Sequence, residues 1–232
     1  RDNRTQRRYN LVHEGIIRPA DHTPPRILRL HYIEVDTVRG VPVRSPGESY
    51  AVVRTTAGSY RLTRSEALPV GRNGYFVVEA SDRRDGVHNT FGIWRAALAV
   101  DGQTRFEYRM DGFTYEQARC CDAVSCYPLQ LFSRNECIRL ARLQGAPGEF
   151  YPTLVDHGVL RVDAGAQRTV RIEVEDDSGN RSHLEFTIRG RAESFHAAAD
   201  TTAVVARRDR ATLLTIPGEV MALIPGGALY EP

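Results

Sequence analysis

The sequence contains no lysine; all 31 of its basic residues are arginine. That absence removes a lysine general base, a Schiff-base former and the phosphate-binding lysine of a P-loop. Long apolar runs are missing too. None approaches the ~18 residues a membrane-spanning helix needs, and no basic-then-apolar signal peptide opens the chain. The first residue is Arg1 rather than methionine, so the natural N-terminus is expected upstream. The seven histidines (His13, His22, His31, His88, His157, His183 and His196) are spread so that no two lie within four residues of each other. Compact His-x-His and His-x-x-x-His metal sites are thereby excluded. His196 and Asp200 form a His-x-x-x-Asp match, but fourteen aspartates in 232 residues produce such matches by chance. There is no Gly-x-Ser-x-Gly elbow, Walker loop or Gly-x-Gly-x-x-Gly turn.

The residues that are present describe an ordinary globular chain. Hydrophobic residues make up 41% and charged residues 26%, so a packed core is expected. The length of 232 residues suits one large or two ordinary domains. Net charge is only +2, and clusters such as Arg7-Arg8 and Arg207-Arg208 are short. A nucleic-acid partner, which favours a concentrated basic stripe, is not expected.

Asp21-His22-Thr23-Pro24-Pro25 stands directly before the apolar run Ile27 to Val35. Two prolines fix an extended entry, so this reads as a linker feeding a first strand. Further strand-like runs are Tyr50–Thr55, Tyr60–Thr63, Tyr75–Ala80, Phe91–Val100 and Arg105–Arg109. Glycine- and proline-bearing turns separate them, as in an antiparallel sandwich. The clearest pattern comes later. Val170, Ile172 and Val174 alternate with polar residues over Thr169–Glu175, and Leu184, Phe186 and Ile188 do so over His183–Arg189. Period two gives each strand one apolar and one polar face. Between them lie Asp176, Asp177, Ser178, Gly179 and Asn180, residues that cap turns and accept positive φ. Such a turn can bind calcium weakly, but EF-hand ligand spacing is absent and plain turn chemistry is the simpler reading. The order strand, Asp, Gly- and Asn-bearing loop, strand also occurs upstream, over Tyr75–Ala80 and Phe91–Val100, as a weak internal repeat. Trp94, in the stripe Gly92, Trp94, Ala96, Leu98, reads as core.

Between these strand regions, Thr114-x-x-Gln117 fits a capping box opening a short helix. Pro128 and Gly145 bracket Leu129 to Gln144, the punctuation of one longer helix. The four cysteines, Cys120, Cys121, Cys126 and Cys137, all fall in this stretch. Their spacing leaves one or two disulfides, free buried thiols or a metal or catalytic role open, and four cysteines allow three pairings. A catalytic role would need a cysteine brought near a distant histidine. The expected fold is mainly β: two immunoglobulin-like antiparallel β-sandwich modules with a short helical insertion between them. Residues 1–20 form the tail of a preceding domain and a linker. Residues 21–112 form the first module, 113–146 the insertion with the cysteine cluster, and 147–190 a second module containing the hairpin. Residues 191–232 form a linker and the start of a further β module, whose strands lack partners.

Several short motifs stand in a distinctive order: Asp21-x-Thr-Pro-Pro-Arg-Ile, Ala80-x-Asp82, Asn89-Thr-Phe-Gly-Ile93, Val100-Asp-Gly102 and Met110-Asp-x-Phe-x-x-x-x-x-Arg119. Val174-Glu-Asp-x-x-Gly-Asn180 and Ile224-Pro-x-Gly-Ala-Leu-Tyr230 complete the series. Together they resemble the C-terminal regions of lysostaphin-like (LytM-type, gly-gly endopeptidase) zinc metallopeptidases of Bacteroidetes. Arg1-Asp2, Thr5 and Asn10-Leu11 resemble the segment directly after the last zinc-binding His-x-His of that catalytic domain. The resemblance spans nearly the whole chain, and the cysteine cluster departs from it. It implies an exported protein, periplasmic or outer-membrane-associated, whose catalytic domain cuts peptidoglycan cross-links with a zinc-activated water. None of the zinc or catalytic residues falls within this chain. The chain itself is therefore expected to be non-catalytic and free of cofactors, with zinc only in the missing catalytic domain. Its partners are expected to be its own upstream peptidase domain and peptidoglycan or envelope proteins. The alternative is a standalone extracytoplasmic immunoglobulin-like module for binding or adhesion.

Overall fold

In the computed structural model the described residues are 8–9, 11–12, 14–17, 20–38, 40–118, 120–198, 205–207, 209–216 and 220–229. The fold is mainly β. The strands in the first half are β1 (Arg8–Tyr9), β2 (Arg26–Val38), β3 (Val41–Arg44), β4 (Glu48–Thr56), β5 (Ser59–Leu62), β6 (Leu68–Val70), β7 (Asn73–Ser81), β8 (Arg95–Val100), β9 (Gln103–Arg109) and β10 (Gly112–Phe113). Helices α1 (Tyr115–Ala118) and α2 (Tyr127–Ser133) come next. The later strands are β11 (Glu136–Arg139), β12 (Thr153–Leu154), β13 (Leu160–Arg161), β14 (Gln167–Glu175), β15 (Arg181–Gly190), β16 (Thr212–Ile216) and β17 (Val220–Ile224).

Thirteen of these strands form one large curled sheet with a sandwich-like core. Its path runs β11-β7-β2-β4-β5-β15-β14-β8-β9-β12, with β13 on β7, β3 on β2 and β6 on β15. The hairpin β14–β15 forms, with Ile172 opposite Leu184. Of its apolar stripe, Val170, Ile172, Val174, Leu184 and Ile188 are fully buried and Phe186 is half-buried. The hairpin does not pair only with itself. β14 pairs antiparallel with β8, placing Ile172 opposite Leu98, and β15 runs parallel to β5 and β6. One apolar cluster joins Leu30, Phe76, Leu98, Phe106, Ile172 and Leu184. Segments 21–112 and 147–190 thus share a sheet and a core, while β10, at the start of the insertion, pairs with β1 in a separate two-stranded sheet.

The insertion has a packing role. β7 is buried on both faces from Gly74 to Ala80, and its Tyr75-Phe-Val-Val run is the continuous apolar sequence such a strand needs. Phe76, Val78 and Ala80 face the main core. Tyr75 and Val77 face a smaller cluster with Ile33, Cys126, Cys137 and Ala141. The insertion therefore covers the outer side of β7. The capping box holds: Thr114 N–H donates to Gln117 Oε1 at 2.8 Å, and Gln117 N–H to Thr114 Oγ1 at 3.3 Å. The single helix expected over 129–144 does not form. α2 ends at Arg134, whose φ of 60° is left-handed, and Glu136–Arg139 is β11, paired with β7. Ladder bonds to a central strand outweigh a helical spacing of apolar residues here. The strand expected from Phe91 begins only at Arg95, and Phe91 makes an isolated bridge to Asp82. Ala96 and Leu98 are core as expected. Trp94 is half-buried and donates from Nε1 to Asp111 at 3.2 Å.

Beyond β15 the chain is strapped back along β2. Arg191 bonds Glu34 and Glu48, Phe195 N–H donates to Glu34 at 2.8 Å, and Ala197 N–H to Asp36 at 2.9 Å. β16 and β17 pair with each other only, among the described residues, and leave Leu213, Met221 and Leu223 exposed. No described helix is long and apolar enough to cross a membrane.

Candidate functional site

Among the described residues, two groups of buried side chains converge closely enough to hold an ion, each with its ligand atoms within 4.8 Å of one another: Asp21 with Asp82 and Asp176, and His31 with Glu79 and Cys137.

The acidic group forms where three chain segments meet. Asp21 lies in the entry before Pro24-Pro25, Asp82 comes directly after β7, and Asp176 opens the β14–β15 turn. That turn is built as its residues predict. Asp176 Oδ1 accepts from Ser178 N–H at 2.8 Å and Asn180 N–H at 2.9 Å, and its Oδ2 from Asn180 Nδ2 at 2.8 Å. Gly179 takes a φ of 91°, a conformation that costs glycine little. Asp177 is bound by Arg84 at 2.5 Å, and that guanidinium lies 4.5 Å from the centre of the Phe91 ring. Asn180 Nδ2 also reaches the Asp21 carbonyl at 3.2 Å, so the turn holds the entry segment. Asp21 Oδ1 accepts from the N–H groups of Thr23, at 3.2 Å, and Asp85, at 3.3 Å. Asp85 in turn bonds His22 and Thr23.

Asp176 is 0%, Asp82 1% and Asp21 8% exposed. Yet Asp21 Oδ2 and Asp82 Oδ1 are buried with no hydrogen-bond partner. Burial first, and then the neighbouring Asp176, push the Asp82 carboxyl up to about 7. Burial also raises Asp176, against the hydrogen bonds from Asn180 and Ser178.

The second group spans three neighbouring strands. Cys137 on β11 lies opposite Glu79 on β7, which lies opposite Arg29 on β2, with His31 one diagonal step away. Every member has a partner. His31 Nδ1 meets Ser49 Oγ at 2.7 Å, and its Nε2 meets Glu79 Oε2 at 3.4 Å. Asn135 Nδ2 donates to Glu79 Oε1 at 2.6 Å. The Cys137 sulfur lies 3.5 Å from Ser133 Oγ. Burial lowers the pKa of His31, favouring neutral imidazole, and raises that of Cys137 to about 11, keeping it a thiol. This is a satisfied polar patch under the insertion, with neither a thiolate nor an open position for chemistry.

Of the cysteines read as disulfide candidates, Cys120, Cys126 and Cys137 carry free thiols, the latter two buried. Cys126 caps the start of α2 while Cys137 turns its sulfur toward Ser133. The side chain of Cys121 lies outside the described residues, as do His13, Arg119 and Asp200. His196 is exposed, 3.7 Å from Asp36. His183 is half-buried on the outer face of β15, and His88 is exposed.

A 260 Å³ cleft on the outer side of β7 is lined by Arg44, Arg139, Arg142, Tyr75, Leu143 and His157, among others. Arg139 is anchored by the Ala123 carbonyl at 2.9 Å, and Arg142 by that of Ala146 at 2.7 Å.

Sequence reasoning assigns Asp176, Asp177, Gly179 and Asn180 to a structural turn, and the turn is there. It misses that Asp176 faces Asp21 and Asp82. The one signal pointing that way is that each acid ends or begins a strand-like run. It also misses His31 and Glu79, because their meeting depends on the register of β2 against β7. Comparison with models of protein families, with curated proteins and with solved structures finds no match.

Proposed function

We propose that this chain is a non-catalytic accessory β-sandwich region of an exported cell-envelope zinc metalloendopeptidase acting on peptidoglycan. In this reading it tethers or orients a catalytic domain that precedes it and carries the zinc. The observation that best supports an orienting role is the fastening of the entry segment. Asn180 holds the Asp21 carbonyl, Ser182 Oγ donates to the Pro25 carbonyl, and Asp85 binds His22 and Thr23. A segment bonded at three points transmits orientation, where a free linker would not. The test is the size of the native protein in its source envelope, by immunoblot with peptide mapping upstream of Arg1. A much larger species with His-x-x-x-Asp and His-x-His in its upstream peptides is expected. A native species near 26.0 kDa, with only a signal peptide upstream, would overturn the reading.

The cleft beside β7 favours a second reading, a standalone extracytoplasmic module for binding or adhesion. Anchored arginines beside Tyr75 form a preorganised surface for an anionic or carboxylate-bearing ligand. Binding of envelope glycans or proteins that survives in the wild type and is lost in Arg142→Ala would support it.

A further inference from the structure

We propose that Asp21, Asp82 and Asp176 together bind a hard divalent cation, calcium by its coordination preferences, which joins the entry segment, the end of β7 and the β14–β15 turn. This inference rests on the cluster itself and stands whether or not the chain belongs to a peptidase.

Buried carboxylate oxygens are normally hydrogen-bonded, and one left without a partner is costly. Here two such oxygens, Asp21 Oδ2 and Asp82 Oδ1, belong to residues more than nine-tenths buried, and each of these residues brings a carboxylate oxygen within 4.8 Å of the other and of buried Asp176. Three carboxylates in one dry pocket repel one another. Arg84 gives Nη2 to Asp177 and its face to Phe91, its Nε is buried without a hydrogen-bond partner, and His22 turns to Asp85, so none of these bonds reaches Asp21, Asp82 or Asp176. A cation supplies both missing terms at once: charge neutralisation, and partners for the two orphaned oxygens.

The donor set selects the ion class. All three ligands are oxygen, with neither the nitrogen nor the sulfur that zinc sites favour. Calcium takes about 6–8 oxygens at 2.3–2.6 Å, so two oxygens on opposite sides of it stand about 4.6–5.2 Å apart. The cluster's ligand atoms, all within 4.8 Å of one another, can reach one such ion. Magnesium needs a tighter octahedron and keeps most of its water, which a pocket this buried does not favour. Asp176 keeps about one acceptor site beyond its three N–H donors, so the turn can stay intact while it ligates.

The competing account is a shared proton, with Asp82 simply held as the neutral acid. The two accounts separate in one experiment on the full 232-residue chain, freed of metal with a chelator and melted near pH 7.5 with calcium, with magnesium, or with neither. Calcium at a hundred times its dissociation constant is expected to raise the melting temperature by about 5–10 °C, with little effect from equal magnesium. In Asp82→Asn, the metal-free protein melts higher than the metal-free wild type, and the calcium shift is lost. No shift in the wild type, an equal shift from both ions, or a full shift surviving in Asp82→Asn would overturn the proposal. Should Asp82→Asn not fold, Asp21→Asn is read in the same way. Equilibrium dialysis with metal analysis then gives a second measurement: one calcium per wild-type chain is expected, and none would overturn the site.

Discussion

Glu79 lies near the end of β7 and Asp82 three residues on, directly after it, and their surroundings are opposite. Glu79 is held by Asn135, His31 and Arg29, so each of its oxygens has a partner. Asp82 faces two other acids and keeps a buried oxygen with none. Burial alone therefore says little about what an acid does. A satisfied acid ties strands together, whereas an orphaned one records a partner that the chain does not itself provide.

The largest expected effect breaks the satisfied side. Glu79→Ala removes the carboxylate that buried His31 shares with Asn135 and should destabilise the protein by about 2–4 kcal/mol in urea unfolding. On the orphaned side the same kind of change should have the opposite sign. Without divalent ions, Asp82→Asn is expected to stabilise by about 1–3 kcal/mol. A loss of stability on that substitution would erase the contrast.

The pH dependence sharpens it further. The folded pKa of Asp82 is raised to about 7, above the ordinary carboxylate value near 4. Below about pH 4 the group is protonated in both states and costs nothing. As pH climbs from there toward 7, the unfolded chain ionises first and the folded state loses ground, by on the order of a few kcal/mol. Metal-free wild type should therefore show this loss in denaturant titrations across that window, and Asp82→Asn should show much less of it.

Two smaller effects test the frame around the sites. Asn180→Ala removes bonds to both Asp176 and Asp21. It should cost about 1–2 kcal/mol and make the entry before Pro24 easier to cleave by limited proteolysis. Gln117→Ala opens the capping box of α1 and removes the exposed bond from Gln117 Nε2 to Glu149; it should cost about 0.5–1 kcal/mol, read as a small shift in the urea midpoint.

Short-range periodicity was legible in the sequence. The alternation over Thr169–Glu175 and His183–Arg189 encodes a hairpin and its buried face, and Thr114 with Gln117 encodes a capping box. The hidden features depend on partners distant in the chain. Glu136–Arg139 carries apolar spacing that suits a helix, but β7 supplies a ladder that takes it as a strand. The merging of the two halves into one sheet comes from β14 finding β8, which no local pattern announces. The acidic cluster was hidden for the same reason: Asp176 was visible as a turn residue, and only topology brings Asp21 and Asp82 to it.

The two ends of β2 give the molecule a mechanical character. The entry is fixed beside its first residue, Arg26, while the strap after β15 is pinned near its other end, at Asp36. At ~3.3 Å per residue, these anchor points lie roughly 30 Å apart along a single strand. Tension between a preceding and a following segment would therefore pull nearly along β2. It would load the hydrogen bonds to β7 and β4 side by side in shear rather than unzipping them one at a time.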